Sequence, residues 1–159
     1  MLLKIHTVQG VIFDGEVERV EVPTKVGVIG VLPRHNPLTT IVVPGILKFV
    51  PQIKKGSEFL SNTDFLFEDE SVALAIGDGF LYTDGTALIL FVASVTTNPQ
   101  TDEKVLQEMK VQLQEQIQQI RSEGNDEEIE RAYLHLQKLT ADLKLLKIKE
   151  KNYQQHRPH

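Results

Sequence analysis

The sequence predicts a mostly β N-terminal domain of the sandwich or barrel type over residues 1–97, followed by an all-α antiparallel two-helix hairpin. Three observations carry this prediction. Apolar runs in the first part are short, alternate with polar residues or end at turn residues. Glycine and proline punctuate the chain up to Asn98-Pro99 and then almost vanish: from Thr101 only Gly124 interrupts, and no proline occurs before Pro158. Beyond that point apolar residues recur at spacings of three and four, the period of a helix.

Val20 and Val22 alternate with Arg19 and Glu21, and Val72, Leu74 and Ile76 alternate with small or polar neighbours. Thr39–Val43, Gly45–Val50 and Ala87–Ala93 are β-branched or apolar runs between turn residues. Asp84-Gly85, between Phe80–Tyr82 and Leu88–Val92, reads as a two-residue hairpin turn, since both positions accept positive φ. Many short strands with frequent turns favour a sandwich or barrel over a parallel sheet. Gly27–Pro37 reads as a long irregular loop. Gly27 and Gly30 permit positive φ, Pro33 and Pro37 lock φ, and the residue before each proline is pushed toward extended geometry. A loop so constrained loses little entropy when held in one shape, as a surface presented to a partner requires. Pro51–Ser71 is turn-like at Lys54-Lys55-Gly56-Ser57 and Ser61-Asn62-Thr63-Asp64, yet Phe59, Leu60, Phe65, Leu66 and Phe67 are too apolar for a flexible linker. An extended β-hairpin is the plain reading of this stretch and a contact surface the functional one.

In the second part Leu106, Met109, Leu113, Ile117 and Ile120 mark one face of a helix. Gly124 supplies a stop, Asn125 or Asp126 an N-cap, and Asp126, Glu127 and Glu128 complement the positive end of the next helix. That helix repeats Ile129, Ala132, Leu136, Leu139, Leu143 and Leu146. Two such stripes joined by a short loop make an antiparallel hairpin of helices ~33 Å long. A pair of helices has too little core to stand alone. The hairpin over 98–151 therefore leans on the sandwich, on a partner, or on both by turns, which makes a conformational switch physically reasonable. The polar, aperiodic tail 152–159 is expected to be disordered.

Composition narrows the function. A chain of 159 residues with 41% hydrophobic content has no run approaching the ~20 apolar residues that span a bilayer. Its start, Met1-Leu2-Leu3-Lys4-Ile5-His6, enters alternating residues directly and lacks the pattern of a signal peptide. The absence of cysteine excludes disulfides, thiolate metal sites and cysteine nucleophiles. A net charge of −5 spread over the chain argues against nucleic acid, whose phosphates call for clustered Lys and Arg. His6, His135, His156 and His159 lack metal-binding spacing, and Gly27-x-x-Gly30 is too short for a phosphate loop, so no metal or cofactor is expected. His35 has no carboxylate near it in sequence to activate it. It reads as a loop histidine or a surface contact, and no catalytic residue is assigned. Arg131, Lys138, Lys144, Lys147, Lys149 and Lys151 make the polar side of the second helix basic: a solvated face, or a contact for acidic segments.

The order of motifs also resembles a family. Gly27-x-x-Gly30-x-Leu32-Pro33-x-His35-x-Pro37 followed by Pro44-Gly45 is similar to the signature loop of the epsilon subunit of F-type ATP synthases. Asp14-Gly15 through Val22-Pro23, Gly77-Asp78-Gly79-Phe80-Leu81, and Leu139 to Leu145 match further segments in the same order. The resemblance implies a flattened β-sandwich of about ten strands whose partners are the gamma subunit and the c-ring. By position, Val28, Ile29, Gly30, Arg34 and His35 would face the ring, with Val28 replacing an acidic residue common in the family. The hairpin would contact the β (and α) subunits when extended and inhibit ATP hydrolysis. The protein would then be a non-catalytic stalk subunit, peripheral to the cytoplasmic face of the bacterial plasma (inner) membrane. The alternative is a free-standing adaptor for an unrelated partner. Some family members bind ATP through Ile/Leu-Asp-x-x-Arg-Ala at the start of the first helix. Here the matching residues are Thr101-Asp102-Glu103-Lys104-Val105-Leu106, and only Asp102 agrees. Val105 replaces the phosphate-pairing arginine, and Lys104 would offer a point charge rather than a bidentate fork. ATP binding is therefore not expected. Pro51–Ser71 is about ten residues longer than its family counterpart.

Overall fold

The computed structural model of the chain describes residues 1–52 and 64–155. Within them ten strands form one sheet. They are β1 (Leu2–Thr7), β2 (Gly10–Thr24), β3 (Gly27–Val31), β4 (Leu38–Val42), β5 (Gly45–Pro51), β6 (Leu66–Glu68), β7 (Ser71–Ile76), β8 (Gly79–Thr83), β9 (Ala87–Val92) and β10 (Val95–Thr96). The order is β1-β9-β8-β4-β2-β5-β7-β10, with β3 added to β2 and β6 to β7. Every pair is antiparallel except β1 with β9. The long strand β2 closes the structure: Gly10–Glu16 pairs with β1, Val17–Glu21 with β5, and Val20–Thr24 with β3. The result is a flattened sandwich. Its inner residues, among them Leu3, Ile5, Val20, Leu47, Phe49, Leu74, Leu81 and Leu90, are fully or almost fully buried. Phe13 packs on Phe49 with ring centroids 4.5 Å apart, and Phe65 meets both edge-on.

Two sequence expectations change here. Gly27–Val31 is not irregular loop but strand β3, in register with Val20–Thr24 (Val22 opposite Ile29, Val20 opposite Val31). Its apolar residues Ile29 and Val31 pack toward the core, and that burial outweighs the glycines. Only the segment after Val31 is loop. The β8–β9 connection is longer than two residues, running from Thr83 to Ala87, and only Gly85 takes positive φ (91°). Asp84 organises it instead: its carboxylate accepts the backbone N–H of Thr86 at 2.9 Å and of Ala87 at 3.0 Å.

Helix α1 (Glu103–Glu123) follows an Asp102 N-cap and ends at Gly124, whose φ of 76° is the left-handed geometry of a C-cap. Asn125 caps α2 (Asp126–Gln155) by accepting the Glu128 N–H at 3.3 Å. At 30 residues α2 is ~45 Å long, well beyond the ~33 Å expected. It continues as helix past residue 151, where a tail was expected, because Asn152 hydrogen-bonds the Phe67 carbonyl and keeps the last turns against the sheet. Residues 156–159 lie outside the described residues, as do Phe59, Leu60 and the rest of 53–63.

α1 packs on α2, and α2 packs on β5, β6 and β7. α2 is therefore apolar on two sides. Leu139, Leu143 and Leu146 meet α1, while Ala141, Leu145 and Ile148, each offset by two residues or roughly 200° of turn, meet the sheet. Beneath them lie Ala73 and Ala75 on the outer face of β7. Lys138 Nζ donates to Thr96 Oγ1 at 2.9 Å and to Asp142 Oδ1 at 2.7 Å, and Lys149 Nζ donates to the Pro99 carbonyl at 2.8 Å. Those lysines belong to the docking contact, whereas Arg131, Lys144, Lys147 and Lys151 are exposed.

Candidate functional site

The sandwich has two outer faces, and α2 covers the one built by β5, β6 and β7. On the other, strand pairing aligns outward-pointing residues into rows across β4, β8, β9 and β1. Ile41 lies opposite Phe80, Phe80 opposite Phe91, and Phe91 opposite His6. Phe80 and Phe91 stack with centroids 5.1 Å apart and planes 24° apart, and His6 stacks on Phe91 at 4.8 Å and 17°. Tyr82, on the next row, faces Thr39 and Ile89. Ile41 is 55% exposed, Phe80 49%, Tyr82 46% and Phe91 42%, so this is a contiguous apolar surface on a rigid sheet. Motif reading missed it. The signal was present in Phe80-x-Tyr82 and Phe91 at strand period two, but one sequence does not show which face of a strand is outward.

The rim near Gly27–Pro37 divides into two parts. At the β2–β3 tip Val26 is 89% exposed and Val28 66%, and Thr24 Oγ1 secures the turn by donating to the Gly27 carbonyl at 2.6 Å. Val28 and Gly30 point outward on β3, whereas Ile29 turns inward against the core and is not a free contact residue. Past the far end of β3, on the order of 15 Å away at the rise of a strand, Arg34 adopts a φ of 67° and its N–H donates to the Gly85 carbonyl at 2.9 Å. The His35 N–H donates to the Leu32 carbonyl at 3.1 Å, and its Nδ1 donates to the Asn36 carbonyl at 2.7 Å. Arg34 is exposed and His35 half-buried, its backbone and ring both engaged in shaping the loop. The five residues assigned from motif position are thus not one patch. Val28 and Gly30 belong to a hairpin tip, Arg34 and His35 to a loop bolted onto the β8–β9 turn.

In the helices Leu106, Leu113, Ile117, Leu139, Leu143 and Leu146 are buried together, with Ala132 and Leu136 packed against them. Ile120 and Ile129, near the connection, are half-buried. Met109 is 40% exposed, which departs from its placement in the stripe. The seam runs 106–110–113–117, so the half-buried Lys110 occupies the inward position and Met109 is turned ~100° aside. Asp102, which alone matches the nucleotide motif, is spent as a cap: its Oδ1 accepts the Lys104 N–H at 3.4 Å. Among the described residues no cluster of His, Asp and Glu is placed to hold a metal ion, and no helix is long and apolar enough to cross a membrane.

Comparison with known proteins gives this geometry a family. Residues 1–97 match the family model described as the ATP synthase, Delta/Epsilon chain, beta-sandwich domain. The chain belongs to this family. An ATP synthase epsilon chain of Herpetosiphon aurantiacus is 27% identical over 147 residues, covering 92% of this chain and 94% of that one. Another, from a Nitratiruptor species, is 35% identical over 85 residues, covering 53% of this chain and 65% of that one. Among solved structures, a chain of the Euglena gracilis mitochondrial ATP synthase (OSCP/F1/c-ring) shares the fold, with a TM-score of 0.63 over 87% of this chain and 76% of that one at 16% identity. The ATP synthase epsilon resemblance read from the motifs agrees with the family model and with the names of these relatives.

Proposed function

We propose that this chain is a non-catalytic subunit of the central stalk of an F-type ATP synthase, which couples c-ring rotation to ATP chemistry. The observation that carries this reading is the bare row Ile41–Phe80–Phe91–His6. It is a preformed, rigid apolar surface on the face that the chain's own helices leave free. A surface of that kind suits permanent association with another subunit, and the gamma subunit is the occupant this reading assigns. The exposed Val26 and Val28 at the β2–β3 tip are the counterpart for the loops of the c-ring, through apolar contact. The complex would sit on the cytoplasmic face of the bacterial inner membrane and couple to proton flow, with this chain peripheral to the bilayer.

In the same reading the hairpin alternates between the docked state and an extended state that reaches the β and α subunits and slows ATP hydrolysis. α2 suits this, because its sheet-facing stripe of Ala141, Leu145 and Ile148 is separate from the stripe that holds α1. Moving a 1:99 population to 99:1 takes ~5.5 kcal/mol of differential binding, within reach of several buried contacts. Co-purification tests the assignment: gamma and β subunits should accompany a tagged form of this chain, and their absence would return it to the class of free adaptors. Deletion of 101–159 tests the regulation: hydrolysis by the assembled complex should rise, and an unchanged rate would remove the inhibitory role and leave the coupling role standing.

A further inference from the structure

α2 does not rest on the sandwich evenly. Over its first turns the helix stands away from the sheet, leaving a cleft of about 510 Å³ between Gly77, Asp78 and Ser94 on one side and Glu127, Arg131 and His135 on the other. Docking is concentrated from Lys138 to Asn152. There the β7 seat consists of Ala73 and Ala75, with Ile46 beside them. Two methyl groups bury little apolar area of their own: the alanines make room for Leu145, but the lateral grip on the helix has to come from elsewhere.

β6 supplies what the alanines lack. It extends the sheet edge, with Leu66 opposite Ala73 and Phe67 opposite Val72. Its side chains alternate between two layers: Phe65 and Phe67 pack against the sandwich core, and Leu66 joins the cluster of Ala141, Leu145 and Ile148. The strand is thus anchored from below while it grips from above. Three polar ties close the arrangement. The Asn152 side-chain amide donates to the Phe67 carbonyl, the Asn98 amide donates to the Asp64 carboxylate, and Lys149 donates to the carbonyl of Pro99, the residue after Asn98. The β6 arm, the interdomain linker and the last turns of α2 are each bound to the other two.

We infer that β6, with Asp64 and Phe65 before it, is a latch that sets how firmly the helical hairpin stays docked, with Leu66 and the Phe67 carbonyl as its grip and Asn152 as the catch on the helix. Its regulatory consequence, though not the latch itself, rests on the proposed reading that the undocked hairpin slows hydrolysis.

Hydrogen exchange on the full chain tests the latch. Asn152→Ala removes the catch and raises helix propensity, so faster exchange cannot come from a weaker helix. Amides of residues 141–155 should exchange roughly 5-fold faster in Asn152→Ala and roughly 30-fold faster in Leu66→Ser, while β2 and β5 keep their original rates. Unchanged exchange in 141–155 for Asn152→Ala overturns the latch, whatever Leu66→Ser does to the sheet. In the assembled complex Asn152→Ala should also lower ATP hydrolysis severalfold. Faster exchange with undiminished hydrolysis would keep the latch and overturn the inhibitory reading instead.

Discussion

Gly85 lies directly beneath His35: a Cβ on Gly85 would come within 2.6 Å of the His35 carbonyl oxygen. Backbone cannot retreat as a flexible side chain can, and Gly85 also holds a φ of 91°. Gly85→Ala should therefore lower stability by about 2–4 kcal/mol, combining positive-φ strain with a forced shift of the loop. Gly27→Ala is the control, with φ at 109° and nothing within 4 Å of its Cβ. It should cost about 1–2 kcal/mol, from backbone strain alone. Urea midpoints of the two variants separate close approach from backbone strain.

The same turn makes stability depend on pH through Asp84. Hydrogen bonds from the backbone N–H of Ala87 and Thr86 hold its carboxyl below its ordinary value. A depressed folded-state value means that the contribution is present above the unfolded carboxyl range, near pH 4, and is lost as pH falls through the folded value. Asp84→Ala should melt below the parent chain at pH 7, and the gap between them should narrow as pH drops below about 4. Paired melting curves over pH 2–7 check it; a gap that stays constant would rule out the charged carboxylate as the cause.

Exposed aromatic residues make a different kind of variant, one that spares the fold and strikes the partner. Phe80 and Phe91 are half-exposed and contribute to no buried cluster, so Phe80→Ser and Phe91→Ser should shift the melting midpoint little. Loss of a buried aromatic anchor at an interface costs about 2 kcal/mol or more, which, if the proposed gamma contact uses this face, is close to a 30-fold weaker Kd for gamma. Pull-down of gamma by the two variants reads this directly. Retained binding would overturn the proposal that this face receives gamma.

The strand content was legible because apolar residues at period two and glycine or proline at the turns agree with each other; Ser71–Ile76 and Ala87–Val92 are where the pattern put them. What misled was punctuation without pairing. Gly27 and Gly30 read as loop, yet β2 offers a partner register in which Ile29 and Val31 are inside. Likewise Ala73 and Ala75 read as the weak side of an alternating strand. They are small because a helix lies on them, and nothing local reports the helix. Leu145, next to Leu146 in sequence, falls outside the stripe for the converse reason: it lies on the opposite, sheet-facing side of α2, which the spacing of the first apolar face does not report. The row Ile41–Phe80–Phe91–His6 joins the β8–β9 hairpin to β4 and β1, which are distant from it in sequence, so only the strand order reveals its full extent.

The alanine seat yields a test by exchange of volume. Ala75 and Leu145, both 0% exposed, belong to one cluster between β7 and α2. Ala75→Leu overfills that layer and should weaken docking by about 1–3 kcal/mol. Leu145→Ala empties it and should cost about 2–5 kcal/mol. Neither change enters the core of the sandwich, whose inner residues on β7 are Val72, Leu74 and Ile76. If the layer is set by volume, the double variant Ala75→Leu with Leu145→Ala should recover much of the loss, a favourable coupling of about 1 kcal/mol or more. Exchange rates of α2 amides across the four proteins measure that coupling. Strict additivity of the two losses would mean that Ala75 and Leu145 act on docking independently, and that the polar ties at Lys138, Lys149 and Asn152 set the position of the helix rather than the packing beneath it.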